Sequence, residues 1–201
     1  MMEKMIEKLE RMLTKKRFIH SMGTYETAIK LAKAHSADVE KAAMSGLLHD
    51  CAKNLTKEEA LSLCYIHNII LDDVEKIETG LIHAKTGAWI CEHDFGVSDP
   101  EILSAIRYHT TGKDDMSLLE KITYLADYIE PNRNFRGIFS ESELKEQDEL
   151  KRLAYVDLDS ALVISFDISI RRVIEKGMLI HPNTIKGRNF IINDLRNRQN
   201  V

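Results

Sequence analysis

Apolar residues recur at spacings of three and four along almost the whole chain, and the strict alternation of a half-buried strand is nearly absent. The stretch "EILSAIRYH" is representative, with Ile102, Ala105, Ile106 and His109 on one helical face. This periodicity predicts helices at about 3–16, 18–34, 38–52, 56–67, 80–95, 99–109, 117–130, 141–154, 158–176 and 183–198. Several starts carry a Ser or Thr followed three residues later by Glu: Thr56/Glu59, Ser98/Glu101, Ser117/Glu120 and Ser140/Glu143. Stops fall at Gly96, Gly112, Pro131 and Gly177. The expected fold is all-α, a compact multi-helix bundle forming a single domain over 1–201. Its chemistry-bearing part is expected at about 15–135, with the helices of 141–198 packed on it. The irregular stretch "EPNRNFRGIFS", 130–140, reads as a surface loop near something that needs positive charge.

Composition narrows the class without naming a function. The 201 residues are 44% hydrophobic and 30% charged, ordinary for a globular protein. A formal charge of −4 argues against a general nucleic-acid surface. Cys51, Cys64 and Cys91 are odd in number and lack CxxC spacing, so they read as reduced thiols. No apolar run approaches the roughly 20 residues that span a bilayer. The start, "MMEKMIEKLERMLTKK", is an amphipathic helix whose stripe of Met5, Ile6, Leu9 and Leu13 faces a core. The expectation is a cytoplasmic protein with no membrane partner, and with a homodimer as a possible assembly.

Six polar residues break the apolar pattern. His49 and Asp50 close the run "AAMSGLLHDCAK", where core residues would be expected. His109 lies on the buried face of its helix, and Asp127 sits inside "ITYLADYIE" beside Ile122, Leu125 and Ile129. His83 has Gly87 one turn later, and His20 has Gly23 close by, positions where a missing side chain leaves room beside an imidazole. Five predicted helices thus point six potential ligands inward.

Each has a bland reading. A lone inward His is more often a hydrogen-bonded core residue than a ligand, and a lone Asp can cap a neighbouring helix. Together they strain that reading, because an unpaired buried carboxylate costs several kcal/mol, set against a net stability of only about 5–15 kcal/mol. No Arg or Lys stands at matching inward positions to neutralise both Asp50 and Asp127, whereas a bound cation would. His and carboxylate donors without cysteine suit iron, manganese or zinc. His35, His67, His93 and His181, at helix ends or beside charges, read as surface, and Cys51 reads as packing rather than ligand.

In the order His20, His49-Asp50, His83, His109, Asp127, these residues resemble the HD-domain metal phosphohydrolases. The stretches "GLLHDCAK", "LIHAKTGAWI", "EILSAIRYHTTG", "YLADYIEPNR" and "IHPNTIKGRN" resemble one bacterial subgroup, the YqeK-type symmetrical bis(5'-nucleosyl)-tetraphosphatases, over about 15–190. That resemblance implies an HD bundle with its metal site between core helices. It implies hydrolysis of diadenosine tetraphosphate and related dinucleoside polyphosphates to two nucleoside diphosphates, by hydroxide delivered at the metal. The implied cofactor is a divalent metal, iron first, with one or two ions, and manganese or another divalent ion as substitutes. His20, His49, Asp50 and Asp127 would make the primary metal site; His83 and His109 would serve a second ion, with Asp50 as bridge, or contact phosphate. Asp50, Lys53, His83 and His109 would be catalytic. Lys53, His83, His109, Thr110 and Arg133 would bind substrate, and "RRVIEKGMLI" is a candidate wall for an adenosine pocket. Three other readings compete: an HD hydrolase of another nucleotide or alarmone, a non-catalytic signalling scaffold, and nucleotide binding without turnover.

Overall fold

The structure is a computed structural model and describes residues 2–133 and 141–199. Among them the chain is all-helical. The helices are α1 (Met2–Met12), α2 (Lys15–Ala34), α3 (Val39–Leu48), α4 (Lys57–Ile66), α5 (Asp73–Ile77), α6 (Ile82–Asp94), α7 (Pro100–Tyr108), α8 (Leu118–Ile129), α9 (Glu141–Leu153), α10 (Leu158–Glu175) and α11 (Pro182–Gln199). A 3₁₀ turn, Thr79–Leu81, leads into α6.

Local chemistry explains most boundaries. Thr56/Glu59 and Ser117/Glu120 form reciprocal capping boxes that open α4 and α8. The break between α1 and α2 falls at Thr14, whose side chain accepts from the Arg17 amide, rather than after residue 16. The cap of α7 is Asp99, not Ser98, with its carboxylate taking the Glu101 amide and Pro100 next in line. A further box, Asp72/Glu75, opens the five-residue α5, a helix the periodicity does not reveal. The Ser140/Glu143 pairing and the 134–140 part of the irregular stretch lie outside the described residues.

Two differences matter for the site. The third helix ends at Leu48 instead of running to 52, so His49 caps it and Asp50 to Asn54 form a succession of turns. Cys51 and Ala52 are as buried as helix residues would be, which is why the apolar period runs on. His181, read as surface, is buried instead: its Nε2 lies 2.7 Å from Asp72 Oδ2, tying the start of α11 to the cap of α5. His35 is half-buried, with Nε2 2.7 Å from the Ala154 carbonyl. His67 and His93 are exposed, as expected, and stack on opposite sides of Trp89.

Helices α2, α3, α7 and α8 pack together around Leu31, Leu47, Leu48, Ile106, Ile122 and Leu125, all fully buried. Met5 and Leu9 of α1 join this core, with Leu13 just after that helix. Helix α10 lies against α8 and carries α9 and α11 on its flanks. It presses Phe166 against Gly112, the glycine that ends the turn after α7 with φ +63°. A β-carbon there would lie 2.6 Å from the Phe166 ring and in the left-handed region, so both space and backbone demand glycine. From the other side, α11 contributes Thr184, whose hydroxyl donates to the Thr111 carbonyl at 2.9 Å. Gly187 lets α11 close on the Lys113 carbonyl, only 2.7 Å from where a β-carbon would sit.

Candidate metal centre

The ends of α3 and α7, the body of α2, the start of α6 and the end of α8 meet at the floor of a cleft of about 880 Å³. All six residues singled out by the sequence converge there. His49, Asp50, His83 and His109 are buried, and the side chains of His20 and Asp127 are 13% and 16% exposed. His20 Nε2 stands 3.0 Å from Asp127 Oδ1, 3.2 Å from His49 Nε2 and 3.8 Å from Asp50 Oδ2. His49 Nε2 lies 3.7 Å from both carboxylates. On the other oxygen of Asp50, Oδ1 lies 3.2 Å from His83 Nε2 and 3.6 Å from His109 Nε2, and those two nitrogens are 3.1 Å apart. Asp50 therefore shows one oxygen to each histidine pair.

The protonation pattern follows from the partners of the far nitrogens. His49, His83 and His109 hold Nδ1 at 2.8, 2.6 and 2.7 Å from the carbonyls of Gly46, Gly80 and Ile106. A carbonyl only accepts, so each Nδ1 carries the hydrogen and each neutral ring turns its Nε2 lone pair to the centre. His20 donates Nδ1–H to Glu130 Oε1 at 2.9 Å instead. The lone pairs of His83 and His109 face each other at 3.1 Å and repel, and a shared cation relieves that, whereas His20 turns one N–H to Asp127 and the other to Glu130.

The spacing fits the same conclusion. Donors about 2.0–2.2 Å from an ion stand roughly 3–3.6 Å apart, given tetrahedral or octahedral angles. The first cluster spans 3.0–3.8 Å and the second 3.1–3.6 Å. Both groups can hold a metal ion, and the N/O donor set suits a divalent transition metal.

Electrostatics tune the centre. Burial pushes the His49 and His83 imidazoles down to about 4. His20 is also opposed by burial, but its hydrogen bonds to Asp127 and Glu130 win and raise it to about 9. Burial resists ionisation of Asp127, yet Arg133 and His20 hold it far below the usual carboxylate range. Asp50 is held low by the neighbouring histidines, again against burial. Burial lowers the Lys53 ammonium.

Here one expectation is overturned. Both carboxylates do have a guanidinium: Arg17 Nη1 is 3.2 Å from Asp50 Oδ2, and Arg133 Nη1 is 3.0 Å from Asp127 Oδ1. Arg17 was missed because it stands in a charged helix start, "TKKR", that reads as solvated; Arg133 reaches back from the loop. The case for a metal thus rests on nitrogen and oxygen donors converging at ligand spacing, not on uncompensated charge. Lys53 Nζ sits 3.1–3.2 Å from the ring nitrogens of His83, and Thr110 Oγ1 lies 3.1–3.3 Å from His109 and His83 Nε2.

Glu130, only 1% exposed, is the other residue the sequence reading missed. Its Oε2 accepts from the Asn132 amide at 2.7 Å, and it fills the space beside Gly23, where a β-carbon would come within 2.2 Å. The glycine near His20 therefore makes room for the carboxylate behind the imidazole, not for the imidazole itself. Gly87 plays no such part, since a β-carbon there would meet its neighbours at an ordinary 3.6 Å.

Comparison with known proteins agrees with this geometry. The HD domain family model matches residues 17–132, which contain all six cluster residues. The chain is 38% identical over 180 residues to the symmetrical bis(5'-nucleosyl)-tetraphosphatase of Halalkalibacterium halodurans, covering 90% of this chain and 91% of that one. It is 37% identical over 187 residues to the protein of the same description from Bacillus subtilis, covering 92% and 94%. The crystal structure of a predicted HD superfamily hydrolase involved in NAD metabolism from Clostridium acetobutylicum superposes with a TM-score of 0.88 at 41% identity, over 96% of this chain and 98% of the other. On its sequence, its fold and its cluster of histidines and aspartates, the chain belongs to the HD domain family.

Proposed function

We propose that this protein is a metal-dependent hydrolase that splits diadenosine tetraphosphate and related dinucleoside polyphosphates symmetrically, giving two nucleoside diphosphates. The observation that carries the reading is Asp50, offering one oxygen to each histidine pair at the floor of a cleft lined by Lys15, Lys16, Arg17, Lys53 and Arg133. Relatives matching 90% and 92% of the chain bear the corresponding name.

His20, His49, Asp50 and Asp127 would hold a divalent ion, which would supply Lewis-acid chemistry: a water made nucleophilic near neutral pH and a polarised phosphoryl oxygen. The chain does the rest. Neutral His49 keeps its lone pair free because burial stops it from taking a proton above about pH 4. Arg17, Lys53, Thr110 and Arg133 surround the place where a polyphosphate would lie and would meet charge developing on its oxygens. A symmetrical cut requires the two central phosphates to span this floor. The departing diphosphate is a weak base, so it needs charge neutralisation more than a proton. His83 is poorly suited to supply one, since its single hydrogen is on Nδ1, turned to Gly80.

Lys53 favours a one-ion variant of the reading. Its ammonium already stands within 3.2 Å of His83, where a second cation would have to enter. In that variant Lys53, His83, His109 and Thr110 form a phosphate subsite instead of a second metal site. Metal per chain in the wild type and in His83→Ala separates the two, because only a two-ion centre loses one equivalent.

The deciding experiment measures bound metal and resolves the products formed from diadenosine tetraphosphate, with other nucleotides as comparators. ADP alone is the expected product; ATP with AMP would defeat the symmetrical cut, and no metal-dependent turnover of any phosphate compound would sink the enzyme reading. Asp50→Ala should lose both activity and metal, and an unchanged metal load would make Asp50 structural.

A further inference from the structure

The segment that joins α4 to α6 has an apolar side that the fold leaves uncovered. Ile69 and Leu71 turn inward, onto the small core of Ala60, Cys64 and Ile82. Ile70, between them, faces the other way and is 85% exposed. Tyr65 and Ile66 at the end of α4 are 87% and 63% exposed, and Ile77 at the end of α5 is 66% exposed. Short links hold these residues near one another. The chain folds back after α4 with the Ile69 amide donating to the Cys64 carbonyl at 2.9 Å, and Lys85 ties the Ile70 carbonyl to Glu75 of α5. His67, next to Ile66, adds its stack on Trp89, with ring centroids 4.0 Å apart.

The size of this face bears on what can cover it. The four exposed side chains present on the order of 600 Å², the upper end of what an ordinary monomer leaves in one patch. A homodimer interface is about 65% apolar, so an apolar centre of this size implies roughly 900 Å² per copy. A standard interface takes about 800 Å² from each partner. Tyr and Trp are also the residue types that anchor such contacts. Charge points the same way, because the acids around the face are answered within the chain: Asp72 by His181, Asp73 by Lys76, Glu75 by Lys85 and Glu78 by the Leu179 amide. The face can therefore meet its own copy across a two-fold axis without strong like-charge repulsion.

We propose that two copies of this chain pair through this face as an isologous dimer, with Tyr65, Ile66, Ile70 and Ile77 at its centre. None of these four residues lines the cleft, so both clefts stay open in the pair. The inference is independent of which phosphate compound the cleft takes, and its test needs no substrate.

That test is sedimentation velocity of the full chain across a dilution series, with calorimetric melting alongside. Expected is a dimer with a dissociation constant on the order of 1 µM or tighter, within the range that interfaces of this size reach. Its melting temperature should climb with protein concentration. Ile70→Glu brings two carboxylates into the apolar centre and should weaken association roughly a hundredfold or more. Tyr65→Glu does the same from the end of α4 and serves if the first variant does not fold. Both positions are exposed, so each variant should remain a folded monomer with metal per chain unchanged. A wild type that stays monomeric overturns the proposal, whether it then binds another protein, a lipid vesicle or neither. A dimer that both variants leave intact overturns it as well, since another face would then hold the pair.

Discussion

His20 differs from the other three cluster histidines in what holds its Nδ1–H. Backbone carbonyls three residues earlier serve His49, His83 and His109, but a buried carboxylate 110 residues later serves His20. A carboxylate behind a ligating imidazole fixes the ring and raises its donor strength. Glu130→Gln should keep the hydrogen bond, remove the charge and weaken metal affinity about 10–100-fold; chelator competition measures it, and wild-type affinity would reduce Glu130 to a helix-end residue. The same residues give the metal-free protein a stability maximum near pH 6.5. Between about pH 4 and 6.5 the unfolded chain binds protons that folded His49 and His83 refuse, so stability is lost as pH falls through that window. Between 6.5 and about 9 folded His20 keeps a proton the unfolded chain has released, so stability is lost as pH rises. Each group tilts the curve by at most about 1.4 kcal/mol per pH unit. Melting temperatures in chelator should fall on both sides, and His20→Gln should flatten the alkaline side; a wild-type profile level from 6.5 to 9 would refute the assignment. The six cluster residues were legible because polar residues in apolar positions stand out. Glu130 and Arg17 were not, because an acid before Pro131 and a base in "TKKR" look like ordinary solvated charges until tertiary packing buries one and aims the other.

Helix boundaries carry more of the site than helix interiors do. His49 and His109 are the C-caps of α3 and α7, positions where an imidazole can turn back to the carbonyl three residues earlier while its other nitrogen leaves the helix. Periodicity cannot see this, because Cys51 and Ala52 stay buried in the turns that follow and prolong the helical signal. Likewise α5 has only five residues, too few for a period, and is betrayed only by its Asp72/Glu75 box. The turn after α7 is the most constrained element. Gly112→Ala must place a β-carbon at φ +63° and against Phe166. The left-handed conformation alone costs about 1–2 kcal/mol, which lowers the melting temperature by roughly 2–8 °C in a domain of this size. Differential scanning calorimetry checks this, and an unchanged midpoint would mean that the turn relaxes at no cost.

At the scale of the molecule, the net charge of −4 conceals a local inversion. Asp50, Asp127 and Glu130 are matched at the cleft floor by Arg17, Arg133 and Lys53, and Lys15 and Lys16 stand on the lining without a carboxylate from that set. A bound divalent ion would make the cleft more positive still, suited to a polyphosphate. The KM for such a substrate should rise with added salt between 50 mM and 500 mM potassium chloride, conditions under which the screening length shrinks from above about 10 Å to below about 8 Å. The turnover number should change little, and a KM indifferent to salt would count against electrostatic capture. The clamp on the Thr110–Gly112 turn bears on where this molecule can be divided. The match to the family model ends at residue 132, by which point every candidate ligand has appeared, but Phe166, Thr184 and Gly187 brace the strut on which His109 rides. A fragment ending there would own the full inventory of ligands and lack the leverage that aims them. The frontier drawn by the family model and the frontier drawn by mechanics are different lines.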